Sequence, residues 1–177
     1  MSNPGIEFYV ISSGLEEIIR GSSIAKHLSG IWGCEFAEKD KQIKYIKNVV
    51  SFTEKTKYLY TINKGISDEA GPYAVNEKVG ETDRRIPFPH MIYIGDGLTD
   101  VPCFSLLDHF GGRAFGVFDP SKAGSPKKAW EQLVVPKRVT SMNAPKYRKS
   151  DALGSLLRTA VKRLCLQMDE RTHAVDR

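Results

Sequence analysis

Asp96 and Asp100 are the residues whose type and spacing most directly suggest chemistry. They lie in a turn between an apolar run at 91–94, which predicts a buried strand, and a predicted helix that starts at Pro102. In an open α/β sheet such turns lie at the carboxyl ends of the strands, where ligands bind. Two hard carboxylate oxygens there suit Mg²⁺ better than a softer metal. The turn therefore predicts a magnesium-assisted phosphate site.

A simpler interpretation of this turn stays open. Asp-Gly is a common turn dipeptide, and acids near a helix start, such as Asp100, can act as caps that favour the helix dipole. Three other motif classes fit the residues worse. The turn lacks the third glycine of a dinucleotide loop, the chain has no Gly-Lys-Ser/Thr phosphate loop, and the acid spacing is wrong for a calcium-binding loop.

A second candidate turn, Ser12-Ser13-Gly14, follows a β-rich run at 6–11. Ser13 and Glu16 are spaced as a capping box, which predicts a helix start. A hydroxyl at the end of a strand, beside the free N–H groups of a helix start, is well placed to hold a phosphate oxygen. The alternative is that both serines only cap the helix.

Lys55 is the third candidate. It lies in the first turn of a predicted helix that starts at a capping box, Ser51 with Glu54, and ends at Gly65. A cation in a first turn is slightly unfavourable to the helix dipole, so a role in binding an anion would explain it. A solvated lysine is the commoner case in general.

The remaining elements must position these candidates. Periodicity predicts a helix at 15–28, a β-hairpin at 31–36 and 42–50, a helix at 102–110, a strand at 114–118, a short helix at 126–134, an edge strand at 138–142 and a one-sided helix at 151–168. Residues 66–90 lack periodicity and predict a long surface loop, and 169–177 predict a disordered tail. No repeat or dividing linker is evident, so we predict a single domain over 1–177.

Composition places the chain among ordinary cytoplasmic proteins. Hydrophobic residues make up 41% and charged residues 27%, and no apolar run is long enough to cross a membrane. The cysteines Cys34, Cys103 and Cys165 lack metal-ligand spacing and predict buried reduced thiols. The net charge is +5, with the densest basic region at 122–149. That region has few interleaved aromatics, so a solvated face is favoured over nucleic-acid binding.

With Ser12, Lys55 and the Gly-Asp-Gly-Leu-Thr-Asp turn at 95–100 placed in this order, residues 6–120 resemble the haloacid dehalogenase (HAD) superfamily. The nearest members are its phosphoserine-phosphatase-like phosphohydrolases. The resemblance implies an α/β, Rossmann-like three-layer core with a mainly parallel sheet. It also implies magnesium-dependent hydrolysis of a small phosphorylated molecule.

The resemblance gives each candidate a role. Ser12 would hydrogen-bond the transferring phosphoryl group, Lys55 would neutralise it, and Asp96 with Asp100 would hold magnesium. The implied phosphate-binding residues are Ser12, Ser13, Gly14 and Lys55. Developing phosphoryl charge is well met by such preplaced cations and donors.

One departure concerns the attacking group. HAD members begin with a strand ending in Asp-x-Asp, whose first Asp attacks phosphorus, but no Asp-x-Asp occurs in this sequence. Glu7 is the sole carboxylate before Ser12. In the family that strand lies between the Ser strand and the acidic-turn strand, and the cap usually follows it. We therefore expect a truncated, catalytically incomplete core, in which a homodimer or a partner chain covers the two unpaired strand edges.

Two further interpretations belong to other classes. The chain would serve as a non-catalytic binding module if the slot or the amphipathic helix at 151–168 docks another chain. Nucleic-acid binding through 122–149 is the weaker one, and steep salt dependence would support it.

Overall fold

The computed structural model describes residues 5–67, 70–71 and 73–175. It shows a mixed α/β protein with small, largely parallel sheets. The chain forms two compact units: an N-terminal unit of 5–87 with 99–106, and a C-terminal unit of 88–98 with 107–175. The single domain over 1–177 stays a prediction.

The N-terminal unit contains a three-stranded sheet. Its strands are β1 (Tyr9–Leu15), β2 (Gly30–Lys39) and β3 (Gln42–Asn48), in that order. β1 is parallel to β2, and β2 forms an antiparallel hairpin with β3. Asp40 and Lys41 both have positive φ, 54° and 59°, as a two-residue hairpin turn requires. The predicted hairpin is therefore confirmed.

The first predicted helix is shorter than expected. α1 spans only Glu16–Arg20, and a separate 3-10 turn follows at Ala25–His27. The helix breaks because the backbone turns at Gly21, whose N–H bonds to Glu17 O at 2.9 Å, and Ser22 Oγ then donates to Ile19 O. The prediction of one continuous helix over 15–28 is therefore wrong.

α2 (Glu54–Lys64) confirms the second predicted helix. It ends at Gly65, which is left-handed with φ 70°, and it buries Tyr58, Leu59 and Ile62. Its start differs from the predicted capping box. Ser51 Oγ donates to the Glu54 carboxylate and lowers the pKa of Glu54, but the Thr53 N-cap makes no side-chain cap bond.

The segment 66–90 has two 3-10 turns, Ala74–Asn76 and Phe88–His90, and no longer helix or strand among its described residues. It is tied to α2 within the N-terminal unit. Lys64 Nζ donates to the carbonyls of Val75 and Glu77 at 2.7 and 2.6 Å. The fully buried Asn63 donates to Ile86 O at 2.9 Å.

The C-terminal unit contains a second, fully parallel sheet. Its strands are β4 (Ile92–Gly95), β5 (Arg113–Val117) and β6 (Ser141–Asn143). Its helices are α4 (Ser125–Ala129), continued by a π-helical turn (Trp130–Val134), and α5 (Ala152–Val175). α3 (Val101–His109) begins in the N-terminal unit and ends in this one. These elements confirm the predicted strand at 114–118, the short helix at 126–134 and the edge strand at 138–142.

Leu153 of α5 covers this sheet. It packs with Phe115 and Val117 of β5, and Ile92, Leu157 and Ala160 lie against the same cluster. The predicted one-sided stripe is therefore core at these positions. The backbone of α5 continues through the predicted tail to Val175, and residues 176–177 lie outside the described residues.

β4 is more exposed than predicted. Ile94 is 36% exposed, and Ile92 and Tyr93 are half-buried, so the predicted buried strand is only partly buried. The reason is that β4 is an edge strand, paired only with β5 in the described part of the chain. β1 likewise forms the edge of its own sheet.

Two other sequence predictions meet the structure here. Cys103 is fully buried, whereas Cys34 and Cys165 are only half-buried, so the prediction of three buried thiols is wrong for those two. None of the described helices is both long and apolar enough to cross a membrane.

Candidate functional site

Lys55 and Asp100 meet in the N-terminal unit, although 45 positions separate them in the sequence. Lys55 Nζ lies 2.7 Å from Asp100 Oδ1, and both residues are buried, with 5% and 3% of their surfaces exposed. The first turn of α2 positions the lysine, and the 3-10 turn Leu98–Asp100 before α3 positions the aspartate. Two opposite charges removed from water together form a strong local dipole.

Thr99 completes this contact. Lys55 Nζ also donates to Thr99 Oγ1, at 3.2 Å. The ammonium is therefore oriented by two consecutive residues of the acidic turn. No local signal in the sequence marks Thr99 as a lysine partner.

Ser12, Ser13 and Gly14 lie near the end of β1, and α1 begins two residues after Gly14, at Glu16. The pairing of β1 with β2 shifts register between Ile11 and Leu15, so these three residues form an irregular part of the strand. Gly14 N–H donates to Ser12 Oγ at 3.0 Å, and Cys34 Sγ donates to Ser13 O at 3.3 Å. Ser13 forms no capping box, because α1 has Leu15 at its N-cap and no side-chain cap bond.

Glu16 takes a role that the sequence did not predict. It is 7% exposed, and its carboxylate accepts a hydrogen bond from Gly33 N–H at 2.9 Å and one from Arg20 Nε at 2.6 Å. Because β1 leaves the regular ladder here, the carboxylate satisfies a β2 donor. Gly33 is required, since a Cβ would lie 2.8 Å from Glu16 N.

Asp96 lies in the C-terminal unit, directly after β4, and is exposed. Asp100 belongs to the N-terminal unit. A magnesium site shared by the two aspartates therefore stays a prediction.

Carboxylates such as those of Asp96 and Asp100 suit magnesium better than a metal that needs a full protein cage. Among the residues that the structure describes, no three His, Cys, Asp or Glu side chains form a group that could hold a metal ion. Mg²⁺ commonly uses one or two carboxylates and keeps several waters or substrate oxygens. Asp96 and Asp100 fit that requirement by their chemistry.

The predicted site residues fall into three groups. Lys55 contacts Asp100, Ser12 contacts Gly14, and Asp96 lies in the other unit. No hydrogen bond or ion pair within the described ranges joins Ser12 to Lys55. Of the predicted site residues, the structure thus brings Lys55 and Asp100 into direct contact.

A separate cleft of about 420 Å³ opens in the N-terminal unit. Its lining includes Glu7, Tyr9, Trp32, Thr61 and Arg85. The Trp32 ring stacks on Tyr9 with centroids 5.8 Å apart, and on Tyr58 at 5.0 Å. No local sequence pattern indicates this cleft, because its residues come from four separate segments.

Charges in this cleft are paired. Arg85 donates to the Glu7 carboxylate from Nη1 and Nη2, at 2.9 and 2.5 Å, and Tyr9 OH also donates to Glu7. Hydrogen bonds from Arg85 and then from Tyr9 lower the pKa of Glu7. Burial, followed by the bond to Glu7, raises the pKa of Tyr9. Glu7 is therefore occupied by Arg85 and Tyr9.

Comparisons with known proteins give little beyond the sequence itself. No family model matches the chain, and no solved structure matches it. An uncharacterized protein of Borreliella burgdorferi is 34% identical over 123 residues, which cover 61% of this chain and 41% of that protein. The chain thus spans less than half the length of this relative.

Proposed function

We propose that this chain carries the phosphate- and magnesium-binding residues of a HAD-type phosphohydrolase with a Rossmann-like three-layer core. The observation that carries the proposal is the buried contact of Lys55 with Asp100. A lysine at a helix start and the last aspartate of an acidic turn are the residues that the resemblance assigns to one phosphate site. Their contact across 45 positions supports that assignment.

The roles follow from charge and hydrogen bonding. Lys55 supplies a positive charge that Asp100 and Thr99 hold in one orientation, so it loses little freedom when a phosphate oxygen approaches. Ser12 offers a hydroxyl donor from the irregular part of β1. Asp96 and Asp100 would hold magnesium, which, when bound, neutralises developing phosphoryl charge.

The attacking carboxylate is the part that these residues do not supply. Splitting phosphoryl transfer into two steps needs a nucleophile, and the sequence has no Asp-x-Asp. In the HAD arrangement, the strand that bears this motif pairs with the Ser strand on one side and with the acidic-turn strand on the other. The edge positions of β1 and β4 support this part of the proposal.

Hydrolysis of a generic phosphomonoester tests the proposal. We expect no magnesium-dependent hydrolysis by this chain above an Asp96→Asn control. Fusing a β-strand that ends in Asp-x-Asp ahead of residue 5 should restore hydrolysis, and the matched Asn-x-Asp fusion should not. Equal activity of both fusions, or hydrolysis by the unfused chain that Asp96→Asn abolishes, would contradict the assigned roles.

A non-catalytic docking module is the second candidate. The exposed side chains of Leu156 and Leu166 on α5, 40% and 62% exposed, favour it, since they lie outside the core cluster of that helix. On this alternative, substitutions at Leu156 and Leu166 abolish binding of the docked chain, and Asp96→Asn leaves that binding intact. The phosphohydrolase proposal instead expects Asp96→Asn to abolish hydrolysis by the Asp-x-Asp fusion and substitutions at Leu156 and Leu166 to leave that hydrolysis intact.

A further inference from the structure

The segment 122–149 concentrates positive charge in the C-terminal unit. It contains eight cations, Lys122, Lys127, Lys128, Lys137, Arg138, Lys146, Arg148 and Lys149. Glu131 is its one acid, so the segment carries +7 against +5 for the whole chain. The rest of the chain is thus slightly acidic, and the basic character of the protein resides in this segment.

Sheet topology places part of this charge at one end of the strands. β5 and β6 are parallel, so the segments that follow them, 118–124 and 144–151, leave the sheet at the same end. Phe118 N–H donates to Asn143 O at 3.1 Å, which links the two segments where they leave the sheet. β4 is parallel to β5, so Asp96, which directly follows β4, lies at this end as well. Ligands of parallel sheets bind at such ends.

Two aromatic side chains in this segment are half exposed. Trp130 is 54% and Tyr147 is 53% exposed. Tyr147 has three cations beside it in the sequence Lys146-Tyr147-Arg148-Lys149, and all four residues are exposed. The sequence favoured a solvated face because the segment has few interleaved aromatics, and the structure adds that the two it has are accessible.

The loop 144–151, here called the basic loop, has a fixed backbone. Arg148 N–H donates to Asp151 Oδ2 at 2.9 Å, and Asp151 N–H returns a bond to Arg148 O at 3.0 Å. The loop also packs on α5, where a Cβ at Gly154 would lie 2.0 Å from Arg148 O. An ordered backbone lowers the entropic cost that the loop itself would pay on binding.

We propose that the basic loop, with Tyr147 at its centre, binds single-stranded nucleic acid. Lys146, Arg148 and Lys149 meet successive phosphates, and the Tyr147 ring stacks on a base. The basic loop has no Leu, Ile, Val, Phe or Trp that could insert into a lipid surface, so its chemistry suits a nucleic acid better than a membrane. This inference is independent of the proposed phosphohydrolase function, because it concerns binding alone.

Fluorescence anisotropy with a short labelled single-stranded oligonucleotide tests the proposal on the 177-residue chain. The wild type should bind at low salt and lose affinity steeply as salt rises. The triple variant Lys146→Gln/Arg148→Gln/Lys149→Gln should bind more weakly, with a salt slope smaller by about 2, because each single-strand phosphate contact contributes about 0.7. Tyr147→Ala should weaken binding about five-fold or more with an unchanged salt slope.

A matched control distinguishes the loss of the binding site from the loss of net positive charge. The triple variant Lys39→Gln/Lys41→Gln/Lys44→Gln removes three exposed cations from the β2–β3 hairpin and should leave binding within about two-fold. Equal losses in the two triple variants would overturn the proposal, as would no binding at low salt. Binding to phosphatidylserine vesicles, but not to the oligonucleotide, would assign the loop to membranes instead and would also overturn it.

Discussion

Lys55 is buried beside a single aspartate oxygen, and that geometry gives its charge a structural role. Removing a charged group from water costs several kcal/mol unless a partner compensates. Asp100 provides that partner at 2.7 Å, and Thr99 adds a neutral acceptor. A cation held in this way is oriented before any anion arrives.

Lys55→Met should therefore destabilise the protein by about 3–5 kcal/mol, because it leaves Asp100 buried without its cation. Urea unfolding measures this loss. Lys57→Met, on the exposed side of the same helix, should cost less than about 1 kcal/mol. The double variant Lys55→Met/Asp100→Leu should recover part of the stability, since no charge stays buried. Equal effects of the two single substitutions would refute this account of the contact.

Glu7 should make stability depend on pH. Its pKa lies below the usual 4.5 in the folded protein, first because of the hydrogen bond from Arg85. The stabilising contribution is therefore fully present above about pH 4.5 and is lost as pH falls through the lower, folded-state pKa. The stability difference between the wild type and Glu7→Gln should be constant near neutral pH and should shrink in acid.

Urea unfolding between pH 7 and pH 3 measures that difference. Glu81→Gln, an exposed carboxylate of the same unit, corrects for the change in net charge. A difference that grows in acid would have the wrong sign for an ion pair with Arg85.

The candidate site was predicted from residue types and their order, whereas the contacts that its residues make depend on the fold. The order of Ser12, Lys55 and Asp100 pointed to a phosphate site, and Lys55 does contact Asp100. The role of Glu16 on Gly33 N–H was not predictable, because it depends on where β1 leaves the ladder of β2. Such a departure is set by tertiary packing, which a local pattern does not contain.

Elements with clear periodicity and clear ends matched their predictions. α2 has both an apolar side and a terminal Gly65, and the β2–β3 hairpin has a polar turn between two β-rich runs. α1 is shorter than predicted because Gly21 and the two serines after it form a turn. This turn ends the helix although apolar residues continue at helical spacing beyond it. These three residues are a breaker signal that periodicity alone does not weigh.

At the scale of elements, Gly154 couples α5 to the basic loop. Alanine is usually about 1 kcal/mol better than glycine inside a helix. Here the added Cβ would lie 2.0 Å from Arg148 O and 2.7 Å from Tyr147 O, and both obstacles are backbone atoms. Gly154→Ala should therefore destabilise the protein by about 1–3 kcal/mol in urea unfolding.

Ser155→Ala supplies the control for this helix. Ser155 is the exposed neighbour of Gly154, so its replacement should change stability by less than about 0.5 kcal/mol. Unchanged or increased stability of Gly154→Ala would show that the backbone of the basic loop can move away from the added Cβ. That result would contradict the close packing of the loop on α5.

At the scale of the whole molecule, each sheet ends on an edge strand with partly exposed apolar side chains. β1 and β4 each pair on one side in the described residues, and Ile94 of β4 is 36% exposed. Exposed edges of this kind favour pairing with another chain. We expect light scattering at micromolar concentration to show a dimer, and a monomer would contradict this expectation.

Magnesium binding in the presence of inorganic phosphate, followed by isothermal titration calorimetry, tests the central claim most directly. The wild type should bind Mg²⁺ more tightly with phosphate than without it, because the ion and Lys55 would share the same anion. Asp96→Asn should weaken Mg²⁺ binding at least about ten-fold, since it removes a carboxylate ligand while Lys55 and Asp100 stay paired. Ser12→Ala should weaken the phosphate effect alone. Equal Mg²⁺ binding by the wild type and Asp96→Asn, with no effect of phosphate, would contradict the phosphate and magnesium site.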